Sequence, residues 1–173
     1  QLPPVRADET LRNTTAGDVV GFIDIHDSLA WKGIPFAQPP KADLRWRAPQ
    51  PPEPWKGVRE TLAASDMCPQ MISALSGDTG ESDSQIAGVE DCLYLNIWSP
   101  PNASNLPVMF WIHGGGNSIG HGGSYNGATL ATRENVVLVV INYRLGPLGW
   151  FSHPALDRGD PLDDSGNFGT LDA

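Results

Sequence analysis

Residues 108–116 decide the fold of this chain, because they read VMFWIHGGG: five apolar residues, a histidine and three consecutive glycines. The apolar run has the length of a buried strand and is too short for a typical helix. Consecutive glycines can take backbone dihedral angles that other residues avoid, so successive N–H groups can point into one small space. A negatively charged oxygen that develops during catalysis needs such donors. The segment therefore predicts a strand followed by an oxyanion-binding loop, with a simple tight turn as the alternative.

The segments on either side of this strand indicate the rest of a sheet. Residues 93–98 alternate apolar and polar side chains, and residues 136–142 are apolar up to the final asparagine, so both ranges predict strands. Residues 127–135 contain helix formers such as Leu130 and Arg133. The order strand, loop, helix, strand implies a right-handed crossover between parallel strands of a sheet covered on both faces. The predicted fold class is α/β.

The first half of the chain is richer in turns. Residues 18–25 contain many strand formers but are interrupted by Gly21, which predicts an early antiparallel element with a hairpin or a bulge. Seven prolines between positions 35 and 55 deny the backbone the donors that a helix or a central strand needs, so we expect an ordered coil there. Residues 73–88 are small, polar and acidic, and they predict a surface loop.

Composition excludes several classes of protein. The 173 residues include 11 basic and 20 acidic side chains, and the net charge of −9 disfavours nucleic acid and anionic membrane surfaces as partners. No apolar run approaches the roughly 18 residues of a transmembrane span. Sequons for N-glycosylation begin at Asn13 and Asn102. They favour a secreted or extracytoplasmic protein whose two cysteines form one disulfide, and two free core thiols are the alternative.

The end of the sequence predicts that more of the domain follows. Residues 166–173 read as a loop that turns into the first turn of a helix. A parallel sheet of three or four strands would also lack helices on its faces and partners at its edges. We therefore expect residues 1–173 to be the N-terminal fragment of one larger domain whose remainder is absent from this chain. A small self-contained α/β binding domain is the alternative.

Several motifs of this chain occur together, in the same order, in one known family. They are Gly33-Ile34-Pro35-Phe36-Ala37, Glu90-Asp91-Cys92-Leu93-Tyr94-Leu95-Asn96, His113-Gly114-Gly115-Gly116, Asn142-Tyr143-Arg144 and Gly166-Asn167-Phe168-Gly169. Together they resemble the type-B carboxylesterase and cholinesterase family of α/β-hydrolases. The resemblance runs from about Gly17 onwards but covers only the front part of that family's catalytic domain. It implies a mostly parallel central sheet with an early antiparallel element.

The resemblance also implies a chemistry, the hydrolysis of carboxylic esters through an acyl-enzyme, with a serine, histidine and acidic triad and with no cofactor or metal. Gly115 and Gly116 would donate two hydrogen bonds to the oxyanion, while the nucleophile, the acid and the base would lie outside this chain. His113 would bond the backbone of the loop instead of acting as a base. The implied partners are a small-molecule ester and the C-terminal remainder of the same domain.

Residues 116–120 match the G-x-S-x-G pattern of a nucleophile elbow. An elbow places its serine between a strand and a helix, whereas Ser118 follows three glycines and precedes a further glycine-rich stretch. That stretch cannot start a helix promptly, so we expect Ser118 not to be the nucleophile. Asn117 and Ser118 would line the substrate gorge or, equally, belong to a solvent-exposed loop.

The resemblance assigns two further pairs of residues a role in the scaffold. It places a disulfide between Cys68 and Cys92, and it pairs Arg45 with Glu90 in a buried ion pair that would clamp the proline-rich coil to the neighbouring strand. Cholinesterases carry a tryptophan in the loop that this disulfide closes, and its face binds a quaternary ammonium. Residues 69–91 contain no tryptophan, so choline esters are not the expected substrates.

The motifs leave one functional alternative within the same family. A catalytically inactive adhesion relative of the neuroligin type would keep this fold and bind other proteins after losing the triad. The intact glycines at 114–116 favour an enzyme. The residue that would decide between the two is the nucleophile, which we expect to lie outside this chain.

Overall fold

The computed structural model describes residues 4–71 and 86–173. The described residues form short strands and helices joined by turns and 3₁₀ segments. The strands are β1 (Arg12–Asn13), β2 (Asp18–Val20), β3 (Phe22–Ile23), β4 (Leu29–Pro35), β5 (Val58–Glu60), β6 (Gln70–Met71), β7 (Ile86–Ala87), β8 (Tyr94–Ser99), β9 (Val108–Ile112) and β10 (Val137–Ile141). The helices are α1 (Ala128–Glu134), α2 (Gly146–Gly149) and α3 (Phe168–Leu171). Most of the predicted acidic surface loop, residues 73–85, lies outside the described residues.

The largest sheet has five strands in the order β3-β4-β8-β10-β9. The connection from β9 through α1 to β10 joins two adjacent parallel strands, and the predicted α/β fold class is confirmed. The other pairings, β3 with β4, β4 with β8 and β8 with β10, are antiparallel. The sheet of this segment is therefore not mostly parallel. Parallel neighbours need a crossover connection, and β9-α1-β10 is the one strand-helix-strand crossover within the described ranges.

Gly21 divides the predicted first strand into two strands of different sheets. β2 pairs with β1 and β5 in a three-stranded sheet, whereas β3 pairs antiparallel with β4 in the main sheet. A Cβ atom on Gly21 would lie 1.9 Å from the carbonyl oxygen of Ala30, so only glycine permits this close approach of two backbones. The early antiparallel element is present, and Gly21 is the point where the chain leaves one sheet for the other.

Apolar clusters cover both faces of the main sheet at its central strands β4 and β8. On one face, Ala128 and Ala131 of α1 are fully buried in a cluster with Trp98 of β8. On the opposite face, Val19 of the small sheet packs in a second cluster with Trp31 of β4. The two clusters take alternate residues along β4 and β8, as the two-residue period of a strand requires. The sheet is thus held between a helix and a second, smaller sheet.

The helix α1 has defined ends close to those predicted. The side-chain oxygen of Asn126 accepts the N–H of Ala128 at 2.9 Å. At the other end Asn135 takes a φ of +53° and donates its N–H to the carbonyl of Ala131. The seven-residue helix returns the chain to β10. No helix of the described segments is both long enough and apolar enough to span a membrane.

The strand β9 lies at the edge of the main sheet, with β10 on one side and no partner on the other among the residues described. All five of its side chains are exposed, by fractions between 42% for Met109 and 64% for Val108. The strand predicted at 108–112 is present, but it is exposed where the sequence predicted burial. An apolar edge strand of this kind is a surface on which further protein can pair or pack.

Candidate functional site

The site predicted from sequence forms a short loop at the end of β9. We refer to residues 113–120 as the glycine loop. Gly115 and Gly116 take φ values of +127° and +60°, and Asn117 also has a positive φ of +60°. A Cβ atom on Gly115 would lie 1.8 Å from the carbonyl oxygen of Ile119. Both the backbone angle and this contact therefore require glycine at position 115.

Backbone donors of the glycine loop are left free by this conformation. The N–H groups of residues 114–117, those of Gly115 and Gly116 among them, have no acceptor within the described residues. A Cβ atom built on Gly116 would meet nothing within 4 Å, so the loop is open on that side. The carbonyl of Gly115 is engaged instead, because it accepts the N–H groups of Ser118 and Ile119 at 3.2 Å each. The loop is thus internally bonded while these donors stay available.

His113 supports the loop from beneath. Its side chain is buried, and Nδ1 lies 3.0 Å from the carbonyl oxygen of Gly114. A carbonyl can only accept, so Nδ1 carries the proton. The ring stacks on Tyr143 with centroids 4.4 Å apart, and the Tyr143 hydroxyl donates to the His113 carbonyl at 2.9 Å. These contacts fit the structural role expected for His113.

Burial also fixes the charge state of this imidazole. Removal from water lowers the pKa of His113, the nearby His121 lowers it further, and the hydrogen bond to Gly114 opposes them in part. His113 is therefore neutral at pH 7. Burial similarly raises the pKa of the Tyr143 hydroxyl, which stays protonated and able to donate.

Asn117 and Ser118 lie in the exposed turn of the loop. The Ser118 hydroxyl donates to the carbonyl of Gly116 at 3.2 Å, and the Asn117 carbonyl accepts the N–H of Gly146 at 2.7 Å. No helix begins at Ser118, since a 3₁₀ turn follows only at Gly122–Ser124 and the next α-helix, α1, begins at Ala128. Ser118 therefore lacks the strand-turn-helix setting of a nucleophile elbow.

Two buried amides hold the far end of the glycine loop, and sequence reasoning missed both as functional residues. The Gln70 side chain accepts the N–H of Gly120 at 2.7 Å and donates to its carbonyl at 2.8 Å. The Asn142 side chain accepts the N–H of Gly122 at 2.7 Å. Asn142 was part of a recognised motif, but the motif assigned it no role. For Gln70 the one available sequence signal was its position two residues after Cys68.

The disulfide predicted between Cys68 and Cys92 is confirmed, and both cysteines are buried. It lies beside the glycine loop, because Gln70 also donates to the carbonyl of Cys68 at 3.0 Å. The bond therefore anchors the short strand that carries Gln70 to the start of the segment leading into β8.

Arg45 and Glu90 form a two-point ion pair, with Nε to Oε1 at 2.5 Å and Nη2 to Oε2 at 2.6 Å. The hydrogen bonds and charge of Glu90 raise the pKa of Arg45. The predicted burial is wrong, because the Arg45 side chain is 41% exposed and that of Glu90 23%. The coil that carries Arg45 lies on the surface, with residues 41–43 exposed, so the pair stays partly in contact with water.

A buried ion pair is found elsewhere in the described residues. Arg144 and Asp172 have side chains 3% and 0% exposed, and Nη2 lies 2.7 Å from Oδ1. Asp172 also accepts the Nε and the backbone N–H of Arg144, each at 2.9 Å. A third guanidinium nitrogen donates to the carbonyl of Arg47 at 2.8 Å. This pair joins the segment after β10 to α3, and the sequence analysis did not identify it.

The two sequons lie at the surface. Asn13 is exposed in β1, where its amide donates to Asp18 at 2.7 Å. Asn102 is exposed in the turn between β8 and β9, with a φ of +60°.

A cavity of about 750 Å³ lies away from the glycine loop. It lies around β3 and β4, where Lys32 and Asp24 are 3.7 Å apart. The ammonium of Lys32 also lies 5.1 Å from the centre of the Phe22 ring. The charged side chains of Lys32 and Asp24 pair with each other, so neither is available as a reactive group in the cavity. Residues 4–71 and 86–173 also hold no group of three or more side chains suited to bind a metal ion.

Comparison of sequences places the chain among known esterases. Residues 8–173 match the carboxylesterase family. The Rattus norvegicus protein named pyrethroid hydrolase Ces2e is 45% identical over 173 residues, which cover 94% of this chain and 30% of that protein. The fumonisin B1 esterase of Sphingopyxis macrogoltabida is 44% identical over 167 residues, with coverage of 94% and 29%.

Comparison of structures gives the same result. A solved structure of PNB esterase has a TM-score of 0.81 and 40% identity, and the match covers 94% of this chain and 33% of that one. The Geobacillus stearothermophilus carboxylesterase has a TM-score of 0.76 and 37% identity, with coverage of 94% and 32%. The chain spans roughly a third of the length of these relatives. With the match over nearly all of its residues, the chain belongs to the carboxylesterase family.

Proposed function

We propose that this chain supplies the oxyanion-binding loop of a serine carboxylesterase that hydrolyses small carboxylic esters through an acyl-enzyme. The free N–H groups of Gly115 and Gly116, in a loop fixed at both ends, are the observation that carries the proposal. The names of the relatives support it, because the proteins compared above are called hydrolases and esterases.

In this mechanism a serine outside the chain attacks the ester carbonyl carbon, and the carbonyl oxygen becomes an oxyanion. The N–H groups of Gly115 and Gly116 donate to that oxygen, and a third donor follows the nucleophile. One such donor typically stabilises the transition state by about 3 to 4 kcal/mol. The donors act at this strength because the loop does not have to reorganise when the charge appears. A triad of serine, histidine and a carboxylate needs no cofactor or metal for this step.

The rest of the hydrolase domain is the protein partner in this proposal. The unpaired edge and the exposed apolar side chains of β9 support this proposal, because contact with further protein would remove both from water. The same exposure argues against a small self-contained domain. We accordingly place the nucleophile, the acid and the base in that remainder.

The proposed substrates are small carboxylic esters in preference to choline esters. Residues 69–91 offer no tryptophan to bind a quaternary ammonium. The lining role of Asn117 and Ser118 is part of the proposal, and it is supported by their place in the exposed turn beside the free donors.

A secreted or extracytoplasmic location completes the proposal. A disulfide persists in an oxidising compartment, and Cys68–Cys92 is formed. The amides of Asn13 and Asn102 are at the surface, where a glycan could be attached. For the inactive adhesion type, the described residues provide no supporting observation.

The decisive experiment uses the whole esterase that contains this segment. Gly115→Pro should lower kcat for 4-nitrophenyl acetate by about a hundredfold or more, because it deletes one donor and cannot adopt the φ of +127°. Ser118→Ala in the same turn removes a lining hydroxyl but no oxyanion donor, so it should leave kcat within about a few-fold. A Gly115→Pro enzyme with unchanged turnover would exclude the oxyanion role, and a wild-type protein without turnover would favour the adhesion alternative.

A further inference from the structure

We propose that Gln70 is a positioning residue for the oxyanion donors, because its buried side-chain amide fixes Gly120 at the far end of the glycine loop. This inference rests on the proposed function, since it concerns the same donors. It assigns Gln70 an effect on the rate of the chemical step that reaches beyond the stability of the fold.

The contact between Gln70 and Gly120 has two points. The Gln70 oxygen accepts the Gly120 N–H at 2.7 Å, and the Gln70 nitrogen donates to the Gly120 carbonyl at 2.8 Å. Gln70 is only 5% exposed, and Gly120 is buried as well. The Gln70 side chain therefore makes the two hydrogen bonds to Gly120 that the backbone of a neighbouring strand would otherwise make. Two opposed hydrogen bonds fix both the position and the orientation of that peptide unit.

Gly120 cannot move without moving the residues that carry the free donors. Its missing Cβ leaves room for the His113 ring, since a Cβ atom there would lie 2.3 Å from Nδ1. The preceding residue, Ile119, donates its N–H to the Gly115 carbonyl at 3.2 Å. The peptide of Gly120 is thus close-packed on one end of the loop and bonded through Ile119 to the residue that holds a free donor.

The other side of Gln70 is attached to a rigid part of the molecule. Its amide nitrogen makes a third hydrogen bond, to the Cys68 carbonyl at 3.0 Å, and Cys68 is bonded to Cys92. The loop is consequently tied at its start to Tyr143 through His113 and at its end to the disulfide through Gln70. Catalytic hydrogen-bond donors need placement within roughly 0.5 Å, which two such anchors can provide.

The test uses the whole esterase and the near-isosteric variant Gln70→Glu. A carboxylate keeps the acceptor for the Gly120 N–H but loses both N–H donors and places negative charge beside two carbonyl oxygens. We expect kcat for 4-nitrophenyl acetate to fall about tenfold or more while KM changes by less than about threefold, because the ester binds before the oxyanion forms. The inhibition constant of an aryl trifluoromethyl ketone, which forms a tetrahedral oxyanion, should rise in the same proportion as kcat falls.

The matched control is Gln50→Glu, which makes the same change at an exposed glutamine whose amide donates only to the nearby Ala48 carbonyl. Its kcat and inhibition constant should stay within about twofold of wild type. Gln70→Met, similar in size and without amide groups, replaces Gln70→Glu if the latter does not fold. Thermal unfolding of each variant separates loss of stability from loss of rate.

The outcomes are distinct for the two proposals. A folded Gln70→Glu or Gln70→Met enzyme with a lower Tm and unchanged kcat would show a purely structural residue and overturn this inference, as would failure of both variants to fold. If Gly115→Pro retains activity, the proposed function itself fails. If Gly115→Pro is inactive and Gln70→Glu retains wild-type kcat, only the positioning role is lost.

Discussion

At the scale of single residues, the glycine loop depends on groups that do not react. His113 donates to Gly114, stacks on Tyr143 and stays neutral, so that no positive charge lies beneath the free donors. A protonated imidazole could still donate from Nδ1, but its charge would be buried without a carboxylate partner among the described residues. The loop is therefore built for the neutral form of His113.

This predicts a pH dependence of stability with a definite sign. The pKa of His113 is lowered in the folded state, so between that pKa and the ordinary value of about 6.5 the unfolded chain binds more protons. The contribution of His113 to stability is complete above about pH 6.5 and is lost as the pH falls through the folded pKa. The Tm of the whole esterase, measured from pH 8 to pH 5, should fall more steeply in wild type than in His113→Gln.

His153→Gln controls for the loss of one imidazole, since His153 is exposed. Equal slopes of Tm against pH in wild type and His113→Gln would show that burial of His113 has no thermodynamic consequence. A steeper slope in His113→Gln than in wild type would reverse the sign and contradict the neutral state.

The residues of this loop were only partly predictable from the sequence. The glycines of the loop were predictable, because few other residues tolerate a φ such as that of Gly115. The role of Gln70 was not predictable, because a glutamine is usually exposed and only the tertiary fold brings its amide to Gly120. The burial of Arg45 was overestimated because a motif shows that a pair forms and does not show how much protein covers it.

At the scale of elements, one buried ion pair joins the region after β10 to α3. Asp172 accepts three hydrogen bonds from Arg144, including one from its backbone N–H. The four-residue helix α3 is too short to be stable by itself, so this pair and the buried Phe168 fix its place. Removing one partner would leave the other charge buried without compensation.

We therefore expect Asp172→Ala to lower the free energy of unfolding by about 3 to 5 kcal/mol. Urea unfolding of the whole esterase, followed by tryptophan fluorescence, measures the change. The control is Asp8→Ala, which removes an exposed partner of Arg6 and should cost less than about 1 kcal/mol. Equal effects of the two substitutions would mean that the buried pair contributes no more than a surface pair.

The existence of elements was easier to predict than their order. The strands β8, β9 and β10 were predicted from alternating or short continuous apolar patterns. These patterns do not encode the order of strands in the sheet, in which β10 lies between β8 and β9. The strand β4 was missed because Gly33 and Pro35 both argue against a strand. The structure accommodates Gly33 at a φ of +75° where the pairing with β8 shifts register, and Pro35 ends the strand.

At the scale of the whole molecule, the donors that the proposed function assigns to an oxyanion lie next to an exposed apolar strand. The side chains of β9 are 42 to 64% exposed, and the glycine loop begins where this strand ends. Placement of the free donors thus depends on a strand that has one neighbour instead of two within the described part of the chain. Under the proposed function, protein that covers β9 would both supply the nucleophile and restrict the motion of the loop.

The last prediction separates these two contributions. The 173-residue chain alone should not hydrolyse 4-nitrophenyl acetate above background, whereas the chain combined with the rest of its domain should. Gly115 and Gly116 can stabilise an oxyanion only after a nucleophile has made one, and the Ser118 hydroxyl donates to the Gly116 carbonyl without a base beside it. Circular dichroism and gel filtration first establish that the isolated chain is folded and soluble, so that inactivity reflects missing chemistry. If the folded chain alone turns over ester at a rate that Ser118→Ala abolishes, then Ser118 is the nucleophile and the roles assigned to this loop are wrong.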